Sequence, residues 1–305
     1  NQVEIALKVR QRDDKYFLED ISTVPKIFLA FPLFKTSDLP FPIIINSKRF
    51  VPLEKRDGIW LSETDTDDNI SNKLLIKEAG ELFLELLRKL NPKQWYNLQN
   101  LLILEPPPKK EWLDESWCLN FLETLIENLM QVPLVRTVQG RIIPPSDALI
   151  PTIDDSIEEE NVRQVWNLAS NLKEYSTKIP AEDIAKDWAQ IIEGWGDINE
   201  NVKERRINID LIVQKIENCY NLDGLKSSLI EGIEVMDFLN LMYGFINSMQ
   251  RRGIPDDKKV FPNQNGTFKE KNQLYLDENI DENLKEIGLY LGEDLRRDLI
   301  HKEVS

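Results

Sequence analysis

Near the N-terminus, Val3, Ile5, Leu7 and Val9 alternate with polar neighbours, the period-two pattern of a half-buried strand. Apolar, aromatic-rich runs follow at 16–21 and 26–34, and Asp13-Asp14-Lys15 between the first two runs supplies a hairpin loop. Ile43-Ile44-Ile45 then leads through Asn46-Ser47 to Phe50-Val51. Pro32, Pro40, Pro42 and Pro52 mark strand edges or turns, because proline cannot donate to a central ladder. The first sixty or so residues therefore read as a sheet, closed by the polar stretch 63–68.

Beyond it the period changes from two to 3.6. Ser71 is expected to cap a helix whose apolar face carries Leu74, Leu75, Ala79, Leu82, Phe83, Leu86, Leu87 and Leu90. A second helix is expected over 94–104, ended by Pro106-Pro107-Pro108, and a third over 114–131. Residues 134–138 and 141–143 then flank Gln139-Gly140 like the arms of a hairpin.

The helix-then-hairpin order recurs. Leu119, Asn120, Phe121, Leu122, Leu125, Ile126 and Leu129 are matched by Leu239, Asn240, Leu241, Met242, Phe245, Ile246 and Met249. Pro133 and Gly140 in the first segment correspond to Pro262 and Gly266 in the second, with Leu149 and Leu274 after them. Two readings stand, a structural repeat with two related halves or a coincidence of amphipathic helices followed by turns. Between the segments lies an acidic linker at 154–160, suited to the first turn of a following helix. Helices are expected over 158–175, 181–194, 208–220 and 233–251, with Trp166, Trp188, Ile191, Ile212 and Ile216 turned inward. The tail 280–300 reads as one or two short helices interrupted at Gly288 and Gly292.

Composition and charge narrow the functional classes. Lys and Arg number 38 against 53 Asp and Glu, a net charge of −15, which opposes phosphate backbones and anionic membrane surfaces. No apolar run has the roughly 20 residues a spanning helix needs. Cys118 and Cys219 lack any C-x-x-C partner and are expected to be reduced, buried thiols in a cytoplasmic protein. Residue 1 is Asn rather than Met, and the chain is expected to be a piece of a longer polypeptide.

No catalytic motif announces itself. His301 is the only histidine, is placed in the last turn of the final helix beside Arg296, Arg297 and Lys302, and reads as a surface residue; no metal site is expected. Neither G-x-x-x-x-G-K-[ST] nor G-x-G-x-x-G occurs. Asp65, Asp67 and Asp68 lack the glycine and terminal Glu of a calcium loop and read as a solvated acidic loop. Basic residues gather at Lys48-Arg49 and Lys55-Arg56, on either side of Phe50-Val51-Pro52-Leu53.

Phe31-Pro32-Leu33, the run 39–46, Phe50 and Lys55-Arg56-Asp57-Gly58-Ile59-Trp60 together resemble a segment of sacsin-type proteins. That segment follows a GHKL ATPase domain of the kind found in the ninety-kilodalton heat-shock chaperone. Pro133-Leu134-Val135-Arg136 with Gly140, Pro144 and Ala148-Leu149, the run 261–266, and residues 291–296 fit the same family. The resemblance implies a middle region coming after an ATPase domain absent from this chain, with ATP and Mg as that domain's cofactors and none held here. It places Arg56 as a phosphate sensor toward the upstream ATPase, with Lys55 and Arg49 as further cofactor-binding candidates. A surface Arg packed on Trp60 is the competing reading of Arg56. Lys55 stands where the family pattern has its first Arg, so a bidentate contact is not expected there.

The expected fold is α+β: residues 1–152 a mixed sheet with helices, like a transducer or middle domain, and 153–305 mostly helical with small hairpins. The expected function is a non-catalytic, chaperone-like segment of a larger ATPase that couples nucleotide state to a protein client or partner, with a bacterial defence system as one setting the resemblance admits. Its partners would be the upstream ATPase domain in cis and a protein client, without nucleic acid or membrane. The rival expectation is a protein-interaction scaffold with no nucleotide contact.

Overall fold

A computed structural model of the chain describes residues 2–90, 95–152, 159–249 and 257–304. The N-terminal alternation becomes β1 (Glu4–Ala6), β2 (Val9–Arg12) and β3 (Lys15–Leu18), followed by β4 (Ile27–Phe28) and β5 (Ile44–Asn46). Arg12 lies opposite Lys15, so Asp13 and Asp14 form a two-residue turn, with Asp13 at φ 51°, a conformation aspartate tolerates. After the polar stretch come α1 (Asp67–Lys89), β6 (Trp95–Tyr96) and α2 (Glu115–Leu129). Next are β7 (Val135–Arg136), β8 (Ile142–Ile143) and β9 (Ile150–Pro151), then α3 (Glu159–Ser170), α4 (Lys173–Ser176) and α5 (Glu182–Ile198). The chain continues through β10 (Arg206–Ile207), α6 (Ile209–Glu217), α7 (Leu222–Ser228) and α8 (Val235–Ser248) to β11 (Phe261–Pro262), β12 (Phe268–Lys269) and α9 (Glu282–Tyr290). The fold is α+β.

The expected N-terminal sheet is two small sheets. β5 is antiparallel to β1 and parallel to β4, giving the order β1-β5-β4, and β3 is antiparallel to β2 and parallel to β6, giving β2-β3-β6. Both are mixed.

Three local expectations are corrected. α1 starts at Asp67, because Thr66 Oγ1 accepts the Asn69 N–H (3.3 Å) and Asp67 and Asp68 occupy the first turn, so Ser71 lies inside the helix. A helix over 94–104 does not form across the described residues 95–104. Asn97 takes φ 51° and its side-chain amide bonds both the N–H and the C=O of Leu18 (3.1 Å each), fixing β6 beside β3 and leaving only a 3₁₀ turn at Leu98–Leu102. His301 is not helical: its N–H donates to Pro262 C=O (2.9 Å), in an extended stretch beside β11. The acidic linker at 154–160 lies outside the described residues up to 158.

The chain divides into two compact units, Asn1–Ile150 with Lys186–Arg206, and Pro151–Ala185 with Ile207–Ser305. In the first, Ile27, Leu33, Ile45, Ile59, Leu61, Ile76 and Phe83 are buried, and the Trp195 indole N–H donates to Leu102 C=O (2.7 Å). In the second, Val165, Leu168, Ile212, Ile216, Leu225, Phe238 and Met242 form the core.

The hairpins of the two segments correspond closely, although Pro133 and Pro262, and Leu149 and Leu274, do not fall at equivalent positions. Helix α2 precedes the hairpin β7–β8, and α8 precedes β11–β12; the hairpins match at an offset of 126 residues (135 to 261, 140 to 266). Gly140 and Gly266 both turn at positive φ (74° and 78°), which glycine adopts without a Cβ clash. The Thr137 N–H donates to Arg141 C=O, as Asn263 N–H does to Thr267 C=O, and each hairpin runs into a 3₁₀ turn, Pro145–Asp147 or Lys271–Gln273.

Candidate functional site

The basic turn is built by its hydrogen bonds. Pro52 and Ile59 face each other in an antiparallel bridge, Leu53 N–H donates to Gly58 C=O (2.9 Å), and Arg56 N–H donates to Leu53 C=O (2.8 Å). Arg56 sits at the tip with φ 53°, a left-handed conformation that costs a non-glycine residue about 1 kcal/mol. Gly58 has the opposite requirement, for space: a Cβ there would meet Leu53 Cδ1 and the Trp112 indole at 3.1 Å.

α1 holds the turn from beneath. Asn72, fully buried, accepts the Val51 N–H (2.9 Å) and donates to the C=O groups of Val51 (2.8 Å) and Trp60 (2.9 Å). One turn earlier, Asn69 Oδ1 accepts the Ser62 N–H (2.7 Å). Asn69 and Asn72 share a helical face with Ile76, Ala79 and Phe83, so the readable signal was polar residues on a buried stripe. The apolar-face reading passed over them, and it also placed Leu74 inward, where the structure leaves it 60% exposed.

Charge is distributed unevenly around this turn. Asp57 pairs with Lys35 (2.7 Å), and Lys35 N–H donates to Asp57 C=O (2.8 Å). The hydrogen bond from Lys35 holds the Asp57 carboxyl below its usual range. Lys110 pairs with Asp38 (2.8 Å) while lying over the Trp112 ring. Lys55 and Arg56 are exposed, and among the described residues neither has an ion-pair partner. Arg49 is exposed, with its N–H donating to Ser47 Oγ (3.1 Å), and that hydroxyl donates to Gln2 C=O (2.7 Å). The structure thus sets Lys55 and Arg56 at the tip of the turn, and the Arg49 backbone beside Ser47, which bonds Gln2.

A second feature of this unit is a groove of about 550 Å³ between α1 and α2, lined by Leu84, Trp117 and Phe121 together with Lys77 and Arg88. Trp117 and Phe121 stack at 5.9 Å, and Gly80 lets the Phe121 ring approach α1, since a Cβ there would meet it at 3.1 Å.

Among the described residues, no group of three or more His, Cys, Asp or Glu is placed to hold a metal ion. No described helix is long and apolar enough to cross a membrane. Comparisons with protein-family models, with curated proteins and with solved structures found no match.

Proposed function

We propose that this chain is a middle segment of a larger, sacsin-like GHKL-type ATPase, chaperone-like, relaying nucleotide state to a protein client or partner. The observation that supports it is Arg56: an exposed guanidinium on a strained turn, without a carboxylate partner among the described residues, while the adjacent Asp57 is engaged by Lys35. A cation so presented is suited to a transferring phosphoryl group, whose charge it would stabilise in the transition state. Lys55 beside it would add to the field as a point charge. In this reading the chain supplies one charge to another domain's active site and carries no complete site of its own. ATP and Mg would belong to that other domain.

The test is ATP turnover of the natural polypeptide that carries this segment, with and without Arg56→Ala. A fall of at least tenfold at unchanged nucleotide affinity, equivalent to ~1.4 kcal/mol of barrier, is expected. Unchanged turnover overturns the phosphate contact. The scaffold reading, without nucleotide contact, would then rest on the aromatic groove between α1 and α2.

A further inference from the structure

Helix α9 reverses the usual amphipathic arrangement. Its fully buried residue is Lys285, whereas Leu284, Ile287 and Leu291, spaced i, i+3 and i+7 along α9 and its C-cap, are 58%, 57% and 75% exposed. The lysine is fully committed inside. Its ammonium donates to Asp277 Oδ2 (2.5 Å), Gln264 Oε1 (3.0 Å) and Glu282 Oε1 (3.1 Å). Gln264 also donates to Asp277 (2.7 Å), and Arg296 and Lys302 pair with Glu282 (3.0 and 2.6 Å). A buried charge without these partners would be costly, so the network fixes the rotation of the helix about its axis. The leucine stripe is held outward by the ion pairs beneath it.

The charge along the segment itself is one-sided. From 274 to 293 the sequence has six carboxylates (Asp277, Glu278, Asp281, Glu282, Glu286 and Glu293) and one cation, the buried Lys285. Asp277 and Glu282 are neutralised by the network. Glu278, Asp281, Glu286 and Glu293 have no ion-pair partner among the described residues. The repeat supplies an internal reference: Leu276 is 75% exposed, and its counterpart 126 positions earlier, Ile150, is fully buried.

We propose that the exposed face of α9 docks a basic amphipathic helix of a partner protein. An exposed apolar stripe on a segment rich in uncompensated carboxylates is complementary to aliphatic residues at helical spacing flanked by Lys and Arg. The same charge opposes the other occupants. A second copy brings an equally acidic rim, and an anionic membrane surface is repelled. This surface goes beyond the Arg56 reading and does not depend on it.

The experiment titrates a fluorescent synthetic helix of leucine and lysine, amphipathic in sequence, into the full chain by anisotropy at physiological ionic strength. Saturable one-to-one binding is expected. Ile287→Glu with Leu284→Gln should weaken it at least tenfold, and so should Glu286→Lys with Glu293→Lys, both with unchanged melting temperature because these side chains are exposed. Reversal of charge in the other unit, Glu111→Lys with Glu127→Lys, should leave affinity within twofold. Three results overturn the proposal: absence of binding; equal weakening by the reversal at Glu111 and Glu127, which would mean attraction to net charge alone; or a chain dimer that Ile287→Glu dissociates, which would make a second copy the occupant.

Discussion

The side chain of Asn72 pairs with both backbone groups of Val51, accepting its N–H at 2.9 Å and donating to its C=O at 2.8 Å, and the same amide nitrogen reaches Trp60 C=O at 2.9 Å. One buried helical residue thereby holds both arms of the turn that presents Arg56. Asn72→Ala would strand the Val51 N–H and the Trp60 C=O, while Val51 C=O keeps the Trp60 N–H (3.3 Å), and a loss of about 1 to 3 kcal/mol is expected in urea denaturation. A loss below about 0.5 kcal/mol would show that the turn is held by other contacts.

Arg56 occupies a conformation that glycine adopts without penalty. Arg56→Gly should therefore be more stable than Arg56→Ala, by up to about 1 kcal/mol, although both remove the guanidinium. Equal loss of turnover in the two variants, despite their different stabilities, would separate the charge from the backbone. A Gly variant less stable than the Ala variant contradicts the left-handed assignment.

The network beneath α9 carries a pH dependence of known sign. The Lys285 hydrogen bond, followed by that of Gln264, holds the Asp277 carboxyl far below its usual range. Glu282 is lowered to about 2, first by Lys302 and then by Lys285 and Arg296. Folded carboxyls with depressed pKa bind fewer protons than unfolded ones. Their stabilisation is therefore complete above about pH 4.5 and is lost as pH falls toward 2. Lys285 is raised, chiefly by Asp277, so its contribution persists through neutral pH and is lost only as pH climbs through its folded pKa, above 10.5. Hydrogen exchange of the α9 amides should show opening in acid, shifted to higher pH in Lys285→Met. An identical acid profile in that variant would remove the network as the cause.

The hairpins and the long helices were legible in the sequence, for a definable reason. Gly140, Gly266 and the spacing of Leu75, Ala79, Phe83 and Leu87 record local geometry directly. What escaped was set by single side chains acting at a distance. Asn97 adopts left-handed φ to bind Leu18, 79 positions away, and converts an expected helix into β6. Asn72 was hidden because periodicity ranks residues by polarity and takes no account of which backbone groups need partners. Lys285 is the extreme case: a pattern reading sends lysine to solvent and leucine inward, and α9 does the opposite because Asp277 and Gln264 lie beneath it. At the candidate site, the residue types at the basic turn were legible. The pairing of Asp57 with Lys35, which separates it from Arg56, was not.

The two thiols should react at different rates. Burial pushes the Cys118 thiol up to about 12 and leaves no exposed surface, whereas Cys219 is partly exposed. At pH 8 the thiolate fraction of Cys118 would be about 10⁻⁴. Iodoacetamide followed by mass spectrometry should modify Cys219 in the native chain and Cys118 only after denaturation. Comparable native rates at both sites would contradict the packing of α2.

The duplicated helix-and-hairpin cassette places the same design in two surroundings. Hydrophobic side chains stand at equivalent positions 150 and 276, but only the first is enclosed. Burial accounts for an isoleucine at 150, where a polar replacement would strand a hydroxyl or amide in the interior. It gives no such account of a leucine at 276. Drift toward polar residues at 276 would cost the fold little, so variation there among natural relatives would record the demands of whatever the second cassette meets, separately from the demands of folding, which the first cassette records.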